Sequence, residues 1–181
     1  MFVAEKLRKS NIAEYLLYMW QVEDLLRAFH LDFEKFKVVY LSRYTNLSDE
    51  PRRQLEEWYE NMIQMMHREG VAEHGHLQIN KNVIQNLSEL HTQLMNSSKF
   101  PYYRAAYFNA LPIIVELRMK NGQKQENELE TCFEFLYGIM LLRIQQKTVS
   151  EETEKALKTI STFVGMLSDY YKKDREEPLE F

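Results

Sequence analysis

The chain has little glycine, little proline and a single cysteine. Its 181 residues include five glycines and four prolines, too few for an all-β fold with many tight turns. Cys132 is the only cysteine, which excludes an intrachain disulfide and a metal site built from several cysteines. One thiol among aromatic residues is typical of a reducing compartment.

Long apolar segments are also absent. The longest runs, residues 111–115 and 135–142, are much shorter than the roughly 20 residues that cross a bilayer. The start of the chain mixes charged and apolar side chains, without the apolar core of a signal peptide. We therefore expect a cytoplasmic protein with no membrane partner.

An excess of positive charge is missing as well. Lysine and arginine total 23 against 27 aspartates and glutamates, a net charge of −4, and no basic block is longer than Lys172-Lys173. This balance opposes nucleic-acid binding. A modest basic patch could still form in three dimensions.

Apolar residues at helical spacing dominate what is present. Hydrophobic residues make up 45% of the chain, and nearly every segment has a helical period. Asn11, Asp32, Ser48 and Ser150 are typical residues at helix starts, and Gly70 is typical of a helix end. The predicted helices cover about residues 11–30, 33–44, 49–69, 79–96, 101–120, 126–147 and 151–173. Residues 3–9 are expected to add a leading turn or two, and residues 37–41 offer a weak strand alternative.

These elements predict an all-α fold, a single-domain antiparallel bundle of about six to seven helices. The domain covers residues 1–173, and the charged tail, residues 174–181, is expected to fray. Pro112 lies inside the fifth helix and should kink it, because its ring removes a backbone hydrogen bond. The first, fifth and sixth helices are apolar around much of their circumference, so we place them centrally and the third, fourth and seventh peripherally.

Charged residues on apolar helix faces are the only hint of a site. Glu23 and Arg27 are four residues apart on the apolar face of the first helix. Arg143 lies in the most apolar stretch of the chain, and Arg118 lies near the edge of an apolar arc. One interpretation is a closed ion-pair network in which Arg143 reaches Glu23. Another is a pocket where the arginines grip a carboxylate or phosphate, and a third is that the arginines reach solvent.

Other candidate residues carry weaker signals. His74 and His76 could chelate a metal, but no companion motif supplies further ligands, so a turn at Gly75 is the simpler interpretation. We interpret His91 as a partly buried histidine with a satisfied hydrogen bond, and Cys132 as a buried thiol rather than a nucleophile. No nucleophile elbow, phosphate-binding loop or dinucleotide fingerprint is present. We therefore expect no metal and no cofactor, and assign no catalytic residue.

Residues 11–27, 75–83, 111–118 and 130–143 resemble an uncharacterised family, a domain of unknown function found in Bacteroidetes-type bacteria. The resemblance runs along nearly the whole chain. It implies a small cytoplasmic helical protein, and it brings no activity, cofactor or catalytic residue.

The residues themselves favour a non-enzymatic bundle that binds a protein partner or a second copy of itself. Such a protein needs an exposed apolar or tyrosine-rich patch, and Tyr170 and Tyr171 are candidates for a dimer surface. The alternative is a small-anion or enzyme-like site, which requires an open cavity lined by Arg27 and Arg143.

Overall fold

The computed structural model describes residues 1–120 and 127–181, and these residues form eight α-helices and no strand. The helices are α1 Phe2–Ser10, α2 Ile12–Ala28, α3 Phe33–Val39, α4 Asp49–Arg68, α5 Gln78–Asn96, α6 Pro101–Lys120, α7 Glu128–Ile144 and α8 Glu151–Glu176. The predicted all-α class is therefore confirmed, and residues 37–41 are not a strand. In the described ranges, no helix combines the length and apolarity needed to cross a membrane.

Side-chain caps fix three helix starts at the positions expected from the sequence. Asn11, Asp32 and Ser150 each accept a hydrogen bond from a backbone N–H in the first turn of the helix that follows. Gly70 follows the end of α4 with a φ of +68°, which glycine adopts without strain. Ser48 precedes α4 as expected, but its side chain makes no capping hydrogen bond.

Some helix boundaries differ from the predicted ones. The leading turn is a full helix, α1, and Asn11 separates it from α2 with an extended backbone. The second predicted helix ends at Val39 instead of Tyr44, and a short 3₁₀ turn follows. The separate α1 brings the count to eight in the described residues. Asn121 and Gly122, expected to end the fifth predicted helix, lie outside these residues.

The last helix lies at the centre of the bundle, which corrects its expected peripheral place. α8 contacts α2, α5, α6 and α7. Its buried residues Ile160, Phe163, Val164 and Leu167 form the stripe that these neighbours share. One apolar stripe on a long helix is therefore enough to contact four partners, although the opposite face is polar.

α6, the fifth predicted helix, was expected at the centre of the bundle but is less buried than that position requires. Only Tyr103, Ala110 and Ile114 are buried among its 20 residues. The helix is continuous through Pro112, and the kink expected there stays a prediction. An apolar composition around the whole helix did not mean burial on every side, because neighbouring helices cover only one face.

The C-terminal residues follow a helix that is longer than expected. α8 continues to Glu176, past the predicted end at Lys173. Beyond it, the ring of Phe181 lies 5.7 Å from that of Phe100. The Leu179 N–H donates to Asp174 at 2.9 Å.

Candidate functional site

Glu23 is a fully buried carboxylate at the start of α5. Its Oε1 accepts hydrogen bonds from the Leu77 N–H at 2.9 Å and from the Asn80 amide at 2.6 Å. Its Oε2 lies 2.6 Å from Nδ1 of His76. A helix start leaves backbone N–H groups without intrahelical partners and favours negative charge. Glu23 of α2 therefore acts as a cap supplied by another helix.

The imidazole of His76 separates this carboxylate from solvent. The ring stacks on Trp20 with a centroid distance of 4.0 Å and an interplanar angle of 11°. Trp20 also meets Phe133 and Tyr137 edge-on. His76 is partly exposed, whereas Glu23 and Trp20 behind it are buried.

Arg27 holds the loop between α4 and α5 against α2. Its Nη1 pairs with Asp24 at 2.8 Å, and its Nη2 donates to the carbonyl oxygens of Val71, at 3.1 Å, and Gly75. Asp24 also accepts a 2.6 Å hydrogen bond from the Tyr137 hydroxyl of α7. Burial, and after it this hydrogen bond, raises the pKa of Tyr137.

We call Trp20, Glu23, Asp24, Arg27, His76, Asn80 and Tyr137 the loop clasp. Most of its polar atoms are paired within the chain. Within residues 1–120 and 127–181, three buried side-chain atoms have no hydrogen-bond partner: Trp20 Nε1, Arg27 Nε and Asn80 Oδ1. All three belong to the loop clasp, which joins α2, α5, α7 and the loop before α5.

Arg143 lies outside the loop clasp, which corrects its expected place in the core. Its side chain is 57% exposed and pairs with Glu154 of α8 at 3.0 Å. No residue of α7 after Ile139 is buried, so the last turn extends past the core. Cys132 and Ile139 lie on the same face of α7 as Arg143 and are buried, so this face packs until the last turn.

The remaining predicted site residue, Arg118, is also apart from the loop clasp. Its Nη1 lies 3.9 Å from Glu128 of α7. The structure thus brings Glu23 and Arg27 together with His76, and it separates them from Arg118 and Arg143. Ligand binding by any of these residues stays a prediction.

The two histidines of the 74–76 segment have different surroundings. His76 contacts Glu23, whereas His74 is exposed. Gly75 has a φ of +85°, as expected for a turn at this position. Within residues 1–120 and 127–181, no three His, Cys, Asp or Glu side chains are placed to hold a metal ion.

His91 and Cys132 have the burial expected from the sequence. The Nδ1 of His91 lies 2.6 Å from the Tyr103 hydroxyl, and burial lowers the pKa of His91. Burial, followed by the charge of Glu128, raises the pKa of the Cys132 thiol to about 12. The thiol is therefore protonated at neutral pH, which makes it unreactive.

Sequence reasoning missed an exposed apolar face on α6. Four large apolar side chains there are between 48% and 81% exposed, and smaller exposed apolar residues lie between them. We call this set the α6 seam: Tyr102, Ala105, Phe108, Pro112, Val115 and Met119. From Ala105 onward the spacing alternates between three and four, as in helices that pack lengthwise on another helix. The signal was present in the sequence, because no residue from 105 to 115 is charged.

A groove on α7 adjoins α6. Its volume is about 490 Å³, and Leu117 of α6 lines it together with Phe135, Leu141 and Leu142 of α7. No residue of the α6 seam lines this groove, and Leu117 lies on the side of α6 that carries the buried Ala110 and Ile114.

The comparisons with known proteins supply a family and no activity. A family model described as "Domain of unknown function (DUF4924)" matches residues 1–178. No match was found among curated proteins or among solved structures. The expected resemblance to an uncharacterised family is confirmed.

Proposed function

The chain belongs to the DUF4924 family, whose description states no activity, and we propose that it is a non-enzymatic helical bundle that self-associates through the α6 seam. The observation that carries this proposal is an exposed, uncharged, apolar helix face with the spacing of a helix–helix contact. Interface cores are depleted in charge and enriched in aromatic residues and methionine. The α6 seam has both properties.

A second copy of the chain fits this face better than a charged partner does. The central part of α6 offers no charge to attract an oppositely charged surface, and two neutral faces do not repel each other. In a two-fold dimer the two α6 helices run antiparallel. A residue before the axis then contacts the residue of the second copy that lies the same distance after it. With the axis at Pro112, Met119 faces Ala105 of the second copy, and Phe108 lies beside Val115, one position from direct opposition. Each pair combines a large side chain with a smaller one.

The size of the face sets the expected affinity. A 20-residue helix is about 30 Å long and roughly 10 Å wide, whereas a standard interface buries about 800 Å² per partner. The projected area of α6 is therefore about 300 Å², less than half of the standard size, which places the contact among weak and transient interfaces. We therefore expect a reversible dimer with a dissociation constant of about 1–100 µM.

Sedimentation equilibrium tests the proposal with two matched substitutions. Val115→Glu places a charge in the α6 seam, and Val38→Glu places one on α3, where Val38 is also exposed. We expect the wild type and Val38→Glu to dimerise with equal affinity and Val115→Glu to stay monomeric. A wild type that is monomeric at high concentration, or equal loss of the dimer in both variants, would contradict the proposal. Far-UV circular dichroism checks that both variants fold.

The alternative proposal, a small-anion site around the core-facing arginines, has less support. Both terminal nitrogens of Arg27 already donate to groups of the chain itself, and Arg143 pairs with Glu154. Calorimetric titration with citrate and phosphate tests this alternative. Binding that is lost in Arg27→Gln but kept in Arg143→Gln would support an anion site at Arg27 alone.

We also propose that the protein works in a bacterial cytoplasm. The support is its resemblance to a family of Bacteroidetes-type bacteria and its single buried thiol, which fits a reducing compartment. Cell fractionation of a native producer tests the location.

A further inference from the structure

A groove of about 690 Å³ lies between α1 and the C-terminal part of α8. Its lining includes four basic side chains, Arg8 and Lys9 of α1 and Lys172 and Arg175 of α8, together with Tyr171. These cations come from the two ends of the chain, so the fold assembles a basic patch that no single segment of the sequence contains. We call it the α1–α8 groove.

The α1–α8 groove is positively charged although the protein is acidic. Its four basic side chains outnumber the two carboxylates that line it, in a chain of net charge −4. Lys172 pairs with Glu176 at 3.8 Å. Arg8, Lys9 and Arg175 are exposed and form no ion pair with a carboxylate of residues 1–120 or 127–181. A cleft lined by one sign of charge concentrates ions of the opposite sign.

Aromatic rings, rather than acids, hold the two guanidinium groups. Arg8 lies 5.9 Å from the ring centroid of Tyr15, and Arg175 lies 5.7 Å from that of Tyr171. Arg175 also donates to the Tyr171 hydroxyl at 3.3 Å. Contact with a ring face orients a guanidinium without consuming most of its N–H groups. The remaining donors form the planar fork that binds phosphate oxygens.

We propose that the α1–α8 groove binds a small phosphorylated molecule, with its phosphate oxygens bound by Arg8 and Arg175 and its organic part against Tyr171. The volume is within the range of about 300–1,000 Å³ typical of small-molecule sites. The groove shares no residue with the α6 seam, so this site and the proposed dimer are tested independently.

Calorimetric titration with pyrophosphate at low ionic strength tests the site. The wild type should bind at one saturable site with a dissociation constant below about 1 mM. Arg8→Gln/Arg175→Gln should weaken binding at least about tenfold, equivalent to about 1.4 kcal/mol. Arg43→Gln/Arg68→Gln removes the same charge at two exposed arginines elsewhere and should leave the affinity within about twofold.

Three results would overturn the proposal. They are no binding by the wild type, equal weakening in both double variants, and tighter binding of a single-stranded DNA that displaces pyrophosphate. The second result would mean that only net charge matters, and the third would replace the small ligand with a nucleic acid. If the Arg8/Arg175 double variant melts early, the single variants at the two positions repeat the comparison.

Discussion

Replacing Glu23 with alanine should lower the free energy of unfolding by about 3–5 kcal/mol. The carboxylate accepts hydrogen bonds from the Leu77 N–H and the Asn80 amide and contacts His76. Leu77 and Asn80 are fully buried, so the variant leaves two donors without water or a protein partner. Each unpaired buried group costs about 1–3 kcal/mol, and the deleted side chain leaves a void as well.

Two further variants separate the contributions at this position. Glu23→Gln keeps the shape and one acceptor oxygen, so we expect a loss of about 1–2 kcal/mol. Glu14→Ala removes an exposed glutamate from the same helix, where only the helix dipole is affected, and should cost less than about 1 kcal/mol.

Urea unfolding at pH 7, followed by far-UV circular dichroism and by the fluorescence of Trp20 and Trp58, measures these differences. A Glu23→Ala variant that is as stable as Glu14→Ala would refute the reasoning. Such a result would mean that water replaces the carboxylate and that the loop clasp does not hold the loop before α5.

Three further predictions concern residues outside the loop clasp. Arg143→Met should change the stability in urea by no more than about 1 kcal/mol, because the pair with Glu154 is exposed, and a loss of several kcal/mol would contradict its observed position. Cys132 should not react with a disulfide reagent at pH 8 until the protein unfolds, because burial raises the pKa of its thiol to about 12, so fast labelling without urea would contradict this burial. The pKa of folded His91 lies below its unfolded value of 6.5, so the unfolded state binds a proton first as the pH falls. The free energy of unfolding should therefore decrease below pH 6.5, and His91→Gln should flatten this dependence; an unchanged pH profile would contradict it.

Local features of the fold were predictable from the sequence because their causes are local. Asn11, Asp32 and Ser150 cap helices through hydrogen bonds to residues two or three positions away, and such spacing can be read along the chain. Apolar stripes likewise located the buried residues of α8. These signals do not depend on which helices become neighbours.

The candidate site was only partly predictable because its contacts connect distant segments. Helical periodicity placed Glu23 and Arg27 on a packed face, but the His76 contact joins residues 53 positions apart. Periodicity placed Arg143 on the buried face of Cys132 and Ile139, but it does not show that the last turn of α7 extends past the core. The apolar residues of α6 were assigned to the core because this helix is apolar around much of its circumference and so shows no preferred face, although several of them are exposed.

Self-association through the α6 seam is tested most directly by a cysteine placed on the proposed two-fold axis. A disulfide requires the two Cα atoms to lie about 4.4–6.8 Å apart, and Cys132 does not interfere because it is buried. Under mild oxidation, Pro112→Cys should form a covalent dimer, and the exposed control Val38→Cys should not. A Pro112→Cys protein that stays monomeric, or that links no faster than Val38→Cys, would contradict the proposed dimer.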